Sequence, residues 1–262
     1  MSALTATLAR SWRLADYWVI AYRATWTGSV LRSFFNPLLY IVSLGVMLGS
    51  YVHGTSALGG ATYLQFVTAG MLAGQAMNTA VSEVTYPVMT RILWDKSYVS
   101  MLASPLGIAE VVLGQIVFVT ARVALVVVVF MAVLAPFGVY TSFWSVPLIF
   151  VVSLLVALAF ATPLYALSCW AENDGWFAVV FRLVIFPIYM FSGSFFPITS
   201  LPVGLRWVAE ALPLWHGVDL TRMLVLSRVD VSTALVHLGY LVVLSALGWW
   251  ATIVLLRRRL IK

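Results

Sequence analysis

Two long stretches of this chain, residues 33–82 and 123–171, contain no Asp, Glu, Lys or Arg. A water-facing surface needs charges at much shorter intervals, whereas hydrocarbon excludes them at about 2.5–3.5 kcal/mol per residue at the bilayer centre. Each stretch has room for two membrane-crossing helices of about 20 residues with a short link between them. The links are legible as His53-Gly54-Thr55-Ser56 through Gly59-Gly60, and as Pro136-Phe137-Gly138 through Ser145. Two further uncharged runs, 183–205 and 231–256, each suit one span. The pattern predicts six spans, over 35–51, 63–84, 108–134, 146–170, 176–191 and 234–256. No internal repeat or low-complexity tract interrupts it.

Composition closes the alternatives. Hydrophobic residues make up 63% of the sequence and charged residues 9%, against about 45–50% and about 25% in soluble domains. With a mean hydropathy of +1.02, a soluble enzyme, a disordered chain and a disulfide scaffold are excluded. Cys169 is the only cysteine and has no partner for a bridge; it reads as a packed small side chain. The net charge of +6 does not point to nucleic acid, because the bases sit between apolar segments and at the chain ends. Arg10, Arg13, Arg23, Arg32, Arg91, Lys96, Arg257, Arg258, Arg259 and Lys262 fall on one side, and only Arg206, Arg222 and Arg228 on the other. That asymmetry predicts cytoplasmic termini.

The first residues do not read as a signal peptide, since Arg13, Asp16 and Arg23 break any apolar core. Leu8, Trp12, Ala15, Val19, Tyr22 and Trp26 recur at helical spacing opposite Arg10, Arg13, Asp16 and Arg23. The pattern predicts an amphipathic interfacial helix over 1–32, serving as a membrane anchor or as a docking element for a cytoplasmic partner. The segment 85–107 mixes Arg91, Trp94, Asp95, Lys96 and Tyr98 between Pro87 and Pro105. It reads as a short helix offering apolar residues to a protein groove, or as an interfacial loop anchored by Trp94 and Tyr98. The link Glu172-Asn173-Asp174-Gly175 is acidic where bases are favoured, which fits a turn capped by Asp174 or a contact to a basic partner.

Chemistry-bearing motifs are scarce. The two lysines, Lys96 and Lys262, follow no glycine-rich loop, so the chain lacks a P-loop, and it has neither a His-Glu-x-x-His pair nor a Gly-x-Ser-x-Gly elbow. His53, His216 and His237 are far apart in sequence, and no metal is assigned to them. Glu83, Arg122 and Arg182 lie at or within spans, where the arginines either pair with Glu83, Glu110 or Glu172 or snorkel to headgroups. Gly45-x-x-x-Gly49 and Gly70-x-x-x-Gly74 allow close helix packing, and Pro163 and Pro187 are expected to kink their spans. The segment 192–231 is bounded by prolines and carries two short helical patterns, 203–212 and 214–226, neither able to span. It reads as a re-entrant helical hairpin or a pair of interfacial helices on the outer side.

At this point the run Phe191-Ser192-Gly193-Ser194-Phe195-Phe196-Pro197…Leu201-Pro202, followed by Leu212-Pro213-Leu214-Trp215-His216-Gly217-Val218-Asp219-Leu220-Thr221-Arg222, resembles the type-2 ABC exporter permeases. The branch it is most similar to holds the nodulation lipo-oligosaccharide and daunorubicin-resistance permeases; Ser104-Pro105-Leu106…Glu110-Val111-Val112-Leu113-Gly114-Gln115 adds to the likeness. The resemblance implies an all-α six-span permease of type V exporter fold in a bacterial plasma membrane. It also implies a dimer, two separate ATPase subunits that hold the ATP and Mg, and no cofactor on this chain.

ATPase contacts are then expected at Arg10, Arg13, Asp16, Arg91, Trp94, Asp95, Lys96, Tyr98, Glu172 and Asp174. Phe34, Tyr40, Phe177, Phe181, Tyr189 and Phe191 are candidates for the path of an amphipathic cargo (a lipid-linked glycan, a lipid or a hydrophobic drug). Two other classes compete. An intramembrane lipid-modifying enzyme requires His, Asp or Ser groups clustered at one depth, and a passive channel or scaffold requires no ATP.

Overall fold

The computed structural model describes residues 61–261 together with Phe35, Leu38, Leu39, Val42 and Ser43. The expected amphipathic helix over 1–32 and most of span one lie outside the described residues, as do Arg10, Arg13, Asp16, Phe34, Tyr40, Gly45 and Gly49. Among the described residues the chain is helical, without strands. Helices occupy each stretch predicted as spans two to six. Three of them, Ile108–Phe137, Ser145–Trp170 and Val231–Leu260, are long and apolar enough to cross a membrane.

The centre is α1, Tyr63–Val84. Its start is set by Thr62, whose hydroxyl accepts the Gln65 N–H at 3.3 Å while the Gln65 side chain accepts the Thr62 N–H at 3.1 Å; two orphan donors are satisfied at once. Ala69, Ala73, Ala76 and Ala80 are all fully buried, because neighbouring helices rather than lipid surround α1. This explains why a helix rich in Gly and Ala is less apolar than the long helices over 108–134 and 145–170: it needs close approach more than it needs solubility in hydrocarbon.

After α1 come the short helices α2, Tyr86–Leu93, and α3, Ser97–Leu102, then α4, Ile108–Leu134, and α5, Ser145–Trp170. Exposed aromatics mark both ends of α5. Phe143 and Trp144 precede it, and Trp170 ends it in edge contact with Trp176 at 5.4 Å. Its 26 residues rise by about 39 Å, close to the roughly 40–45 Å between the two interfaces of a bilayer where such aromatics collect.

The helix α6, Gly175–Phe191, is shorter. Across Phe181–Ile185 it widens into a π segment, with the Phe186 N–H donating to the Phe181 carbonyl. Pro187 follows at once. A proline supplies no N–H and crowds the carbonyl one turn back, so the wider segment accommodates it within a continuous helix.

Beyond α6 lie α7, Val203–Ala211, preceded by Pro202, and α8, Pro213–Val225, whose first residue is a proline. The final helix α9, Val231–Leu260, is capped by the Asp230 carboxylate accepting the Thr233 N–H at 3.1 Å. It lies along α5, where a Cβ on Gly248 would stand 2.5 Å from the Pro163 nitrogen. Thr252 donates to the Thr162 carbonyl at 2.9 Å and Thr162 to the Ser245 carbonyl at 3.0 Å. Leu235, Val236, Val243, Leu247 and Trp250 on the other face are exposed, as a lipid-facing surface requires.

Candidate functional site

The end of the bundle that carries α2 and α3 concentrates charge. Trp94 is 64% exposed, and Asp95 and Lys96 beside it are also exposed. They form the turn between the two short helices, which Lys96 completes in the left-handed region at φ 50°. Glu172, Asn173 and Asp174 are exposed as well. The two groups flank one apolar cluster in which Met89 of α2, Ala171 and Phe177 bury one another. The last turn of α9 reaches the same end. Arg259 donates to the carbonyls of Ser168, Cys169 and Ala171 at 3.1, 2.8 and 2.6 Å. It thereby satisfies the end of α5 with a cation where the helix dipole favours one, while Arg257 and Arg258 stay exposed.

Beneath this surface lies a polar network. The Arg91 guanidinium donates to the Gln115 side-chain oxygen, and the Gln115 amide donates to the Glu83 carbonyl at 3.3 Å. The Glu83 carboxylate meets Arg122 at 2.9 Å. Of the partners open to Arg122 on sequence grounds, Glu83 is realised; Arg182 is exposed on α6. The network ties α1, α2 and α4 together, so the exposed turn rides on a braced base.

Several expected roles change. Tyr98 is fully buried, not a surface anchor: it accepts the Tyr165 hydroxyl at 2.9 Å, and burial pushes its phenol up. No face of it is left for a partner subunit. Arg91 points inward to Gln115 and contributes to the base, not to the exposed knob. Asp174 sits at the start of α6 but its side chain caps nothing; Asn173 does the work, its side-chain oxygen accepting the Gly175 N–H at 3.1 Å. Phe177 is fully buried, 5.0 Å from Tyr86 in edge contact, which removes it as a path-lining surface. Phe181 stacks on Tyr86 at 6.3 Å. Tyr189 packs edge-on against Phe195 at 5.1 Å, and Phe191 is exposed.

Gly70 and Gly74 do permit close packing, but against an irregular segment as well as a helix. A Cβ on Gly70 would lie 2.4 Å from the Ser194 Cα, and one on Gly74 would lie 2.1 Å from the Tyr189 ring. The loop after α6 thus presses into α1, with Gly193 at φ +75° making the turn.

The opposite end holds buried polar groups that sequence spacing did not connect. His216 of α8 and His237 of α9 face each other through their Nδ1 atoms at 2.7 Å. His237 Nε2 meets the Asp219 carboxylate at 3.1 Å. Asp219 lies 3.7 Å from Arg222, which donates to the Gly193 carbonyl at 2.6 Å and lies over the Phe66 ring at 3.9 Å. The one available signal was the three-residue step from His216 to Asp219 on a helix, with His237 one short loop later. No group of three metal-ligating side chains with suitable geometry occurs among the described residues. Nearby, an apolar cleft of about 820 Å³ opens between the ends of α4 and α5, walled by Val128, Met131, Val146, Pro147 and Phe150.

Comparison with known proteins agrees with this architecture. Residues 11–226 match the family described as ABC-2 type transporter. Nodulation protein J of Rhizobium leguminosarum bv. trifolii is 33% identical over 93% of this chain and 91% of its own length. The protein of the same name from Neorhizobium galegae is 31% identical over 92% and 90%, and that from Rhizobium meliloti (strain 1021) 29% over 96% and 95%. A family match across most of the sequence, on a helical body with three helices fit to cross a membrane, establishes that the chain is a permease belonging to the ABC-2 type transporter family.

Proposed function

We propose that this chain is the membrane half of an ATP-driven exporter that moves an amphipathic cargo out of the cytoplasm or its inner leaflet. In this reading it crosses a bacterial plasma membrane six times with both termini cytoplasmic, pairs with a second copy, and binds two ATPase subunits that carry the ATP and Mg. Residues 1–262 then form one permease domain, in which 1–32 lies on the membrane, 85–107 couples to the motor and 192–231 is the outer re-entrant hairpin.

The observation that carries the reading is the exposed turn Trp94-Asp95-Lys96 beside Glu172–Asp174, standing on a network that joins α1, α2 and α4. Exposed charges around one large aromatic are how a transient protein contact is marked. A push received there passes into the spans because Arg91, Gln115 and Glu83 leave the base little freedom to yield. Tyr86, against Phe177 and Phe181, extends the same connection to α6. Arg10, Arg13 and Asp16 complete the motor-binding surface in this reading, and the path lies between the paired copies, with Phe34, Tyr40, Phe181, Tyr189 and Phe191 along it.

Support for an amphipathic cargo comes from the apolar cleft of about 820 Å³, within the range of roughly 300–1,000 Å³ that takes small apolar ligands. The cargo classes worth testing are a lipid-linked glycan, a lipid and a hydrophobic drug, the first suggested by the resemblance to the lipo-oligosaccharide permeases. The deciding experiment purifies the chain with a co-expressed ATPase and reconstitutes both in liposomes. ATP hydrolysis is then measured with each cargo class added. Retention of the ATPase together with stimulation by one class is the expected result; a chain that retains no ATPase in mild detergent would end the exporter reading.

A further inference from the structure

The two histidines that sequence spacing left unconnected form the one place where α8 and α9 are joined by titratable groups. Both rings are buried, His216 at 7% and His237 at 2% exposure. Their surroundings define how many protons they can hold. From α8, Asp219 accepts from or faces His237 Nε2, and Arg222 lies beside Asp219. From α9, Tyr240 stacks on His216 at 4.0 Å while donating its hydroxyl to the Ala211 carbonyl at 2.9 Å. Trp215 stands edge-on to both rings at 4.9 and 5.0 Å. The facing parts of α1 and α5 are apolar: Phe66 lies under Arg222, and Val156 presses against Gly217.

A contact between two Nδ1 atoms at 2.7 Å needs one donor and one acceptor. Two neutral rings satisfy it. One added proton is also accommodated, because a charged His237 donates through Nδ1 to His216 and through Nε2 to the Asp219 carboxylate, whose single negative charge it then shares with Arg222. A second proton leaves two N–H groups head to head and two like charges in contact, and nothing in the cluster offsets the second. We propose that the His216–His237 pair is a proton-operated latch that holds the outer helix α8 on the last span α9 and lets go when both rings become charged.

Burial, and then the neighbouring His237, lower the His216 pKa from 6.5 to about 4. A base held below its free value keeps its contact fully above that value and loses it as pH falls. The latch is therefore closed above pH 6.5 and opens progressively toward about 4. The inference concerns this chain alone and stands whether or not the exporter reading does, since no motor or cargo enters the test.

Hydrogen exchange of the full chain in lipid nanodiscs, at pH 7.5 and 4.5 with intrinsic rates corrected, reads it directly. Residues 213–225 should exchange at least about tenfold faster at the lower pH, with 108–134 unchanged. In His216→Gln the amide supplies either a donor or an acceptor to His237 without titrating, so exchange should stay slow at both pH values. In His216→Phe the ring still stacks on Tyr240 but the bond is gone, and exchange should be fast at both. A flat wild-type profile, or a His216→Gln profile as steep as wild type, overturns the latch; should His216→Phe fail to fold, the other two samples decide.

Discussion

The two ends of the bundle solve the problem of polar groups in a membrane protein in opposite ways. At the end that carries α2, charges are displayed: Trp94, Asp95, Lys96, Glu172 and Asp174 are exposed, and the half-buried Arg91–Gln115–Glu83–Arg122 network serves as their foundation. At the other end, His216, His237 and the Ser192–Ser194 pair are hidden, and glycines at 70 and 217 admit backbone and side chains too closely for any Cβ. The lesson is that the charges proposed for partner binding and the close-packed polar groups lie at opposite ends of the bundle. Exposed charge is cheap to change and sets recognition, whereas buried polarity and close packing are costly to change.

That contrast can be broken or sharpened by substitution, measured as thermal or denaturant unfolding in one detergent. The largest loss is expected for Gly70→Leu. Its first added atom meets the Ser194 backbone, which cannot swing aside as a side chain would, and about 3 kcal/mol or more should be lost. A milder variant close to wild type would show that the loop after α6 is not held against α1. Next comes Arg122→Leu, which strands the Glu83 carboxylate at a cost of about 2 kcal/mol. Adding Glu83→Gln should recover most of that loss, and no recovery would mean that the pair does not act as a unit.

Smaller still is Tyr98→Phe, which removes the hydroxyl that accepts from Tyr165 without changing the packing. About 1 kcal/mol should go, with ATPase retention unchanged because that side chain has no surface. Loss of the ATPase without loss of stability would return Tyr98 to the contact surface. The smallest effect on stability, within about 0.5 kcal/mol, belongs to Trp94→Ala combined with Lys96→Glu. The same double variant should release a co-expressed ATPase in a pull-down. Full retention at normal yield would remove the exposed turn from the proposed interface.

Much of the helical layout was legible. The limits 63–84 and 108–134 coincide with α1 and α4, and the short outer patterns 203–212 and 214–226 match α7 and α8 to within a residue at each end. Charges, prolines and glycine turns are local signals, and they punctuate a helical chain reliably. Individual side chains were less legible. Tyr98 looked like an interfacial anchor because tyrosines next to charged residues usually are, and only the packing of α3 against α5 hides it. Asp174 looked like a cap, yet Asn173 one residue earlier reaches the free N–H. Phe177 looked available for a path until Met89 and Ala171 closed over it.

Sequence alone determined that this chain lives in a membrane, roughly where most of its described helices lie, and that it carries no nucleotide-binding loop. Those properties follow from how each residue partitions between water and hydrocarbon and from backbone capping, both of which act over a few residues. Only the tertiary structure decided which polar groups meet: Arg122 with Glu83, Arg91 with Gln115, His216 with His237. Such pairs join elements whose separation along the chain says nothing of their separation in space. Their energies depend on distances of a few ångströms that periodicity does not encode.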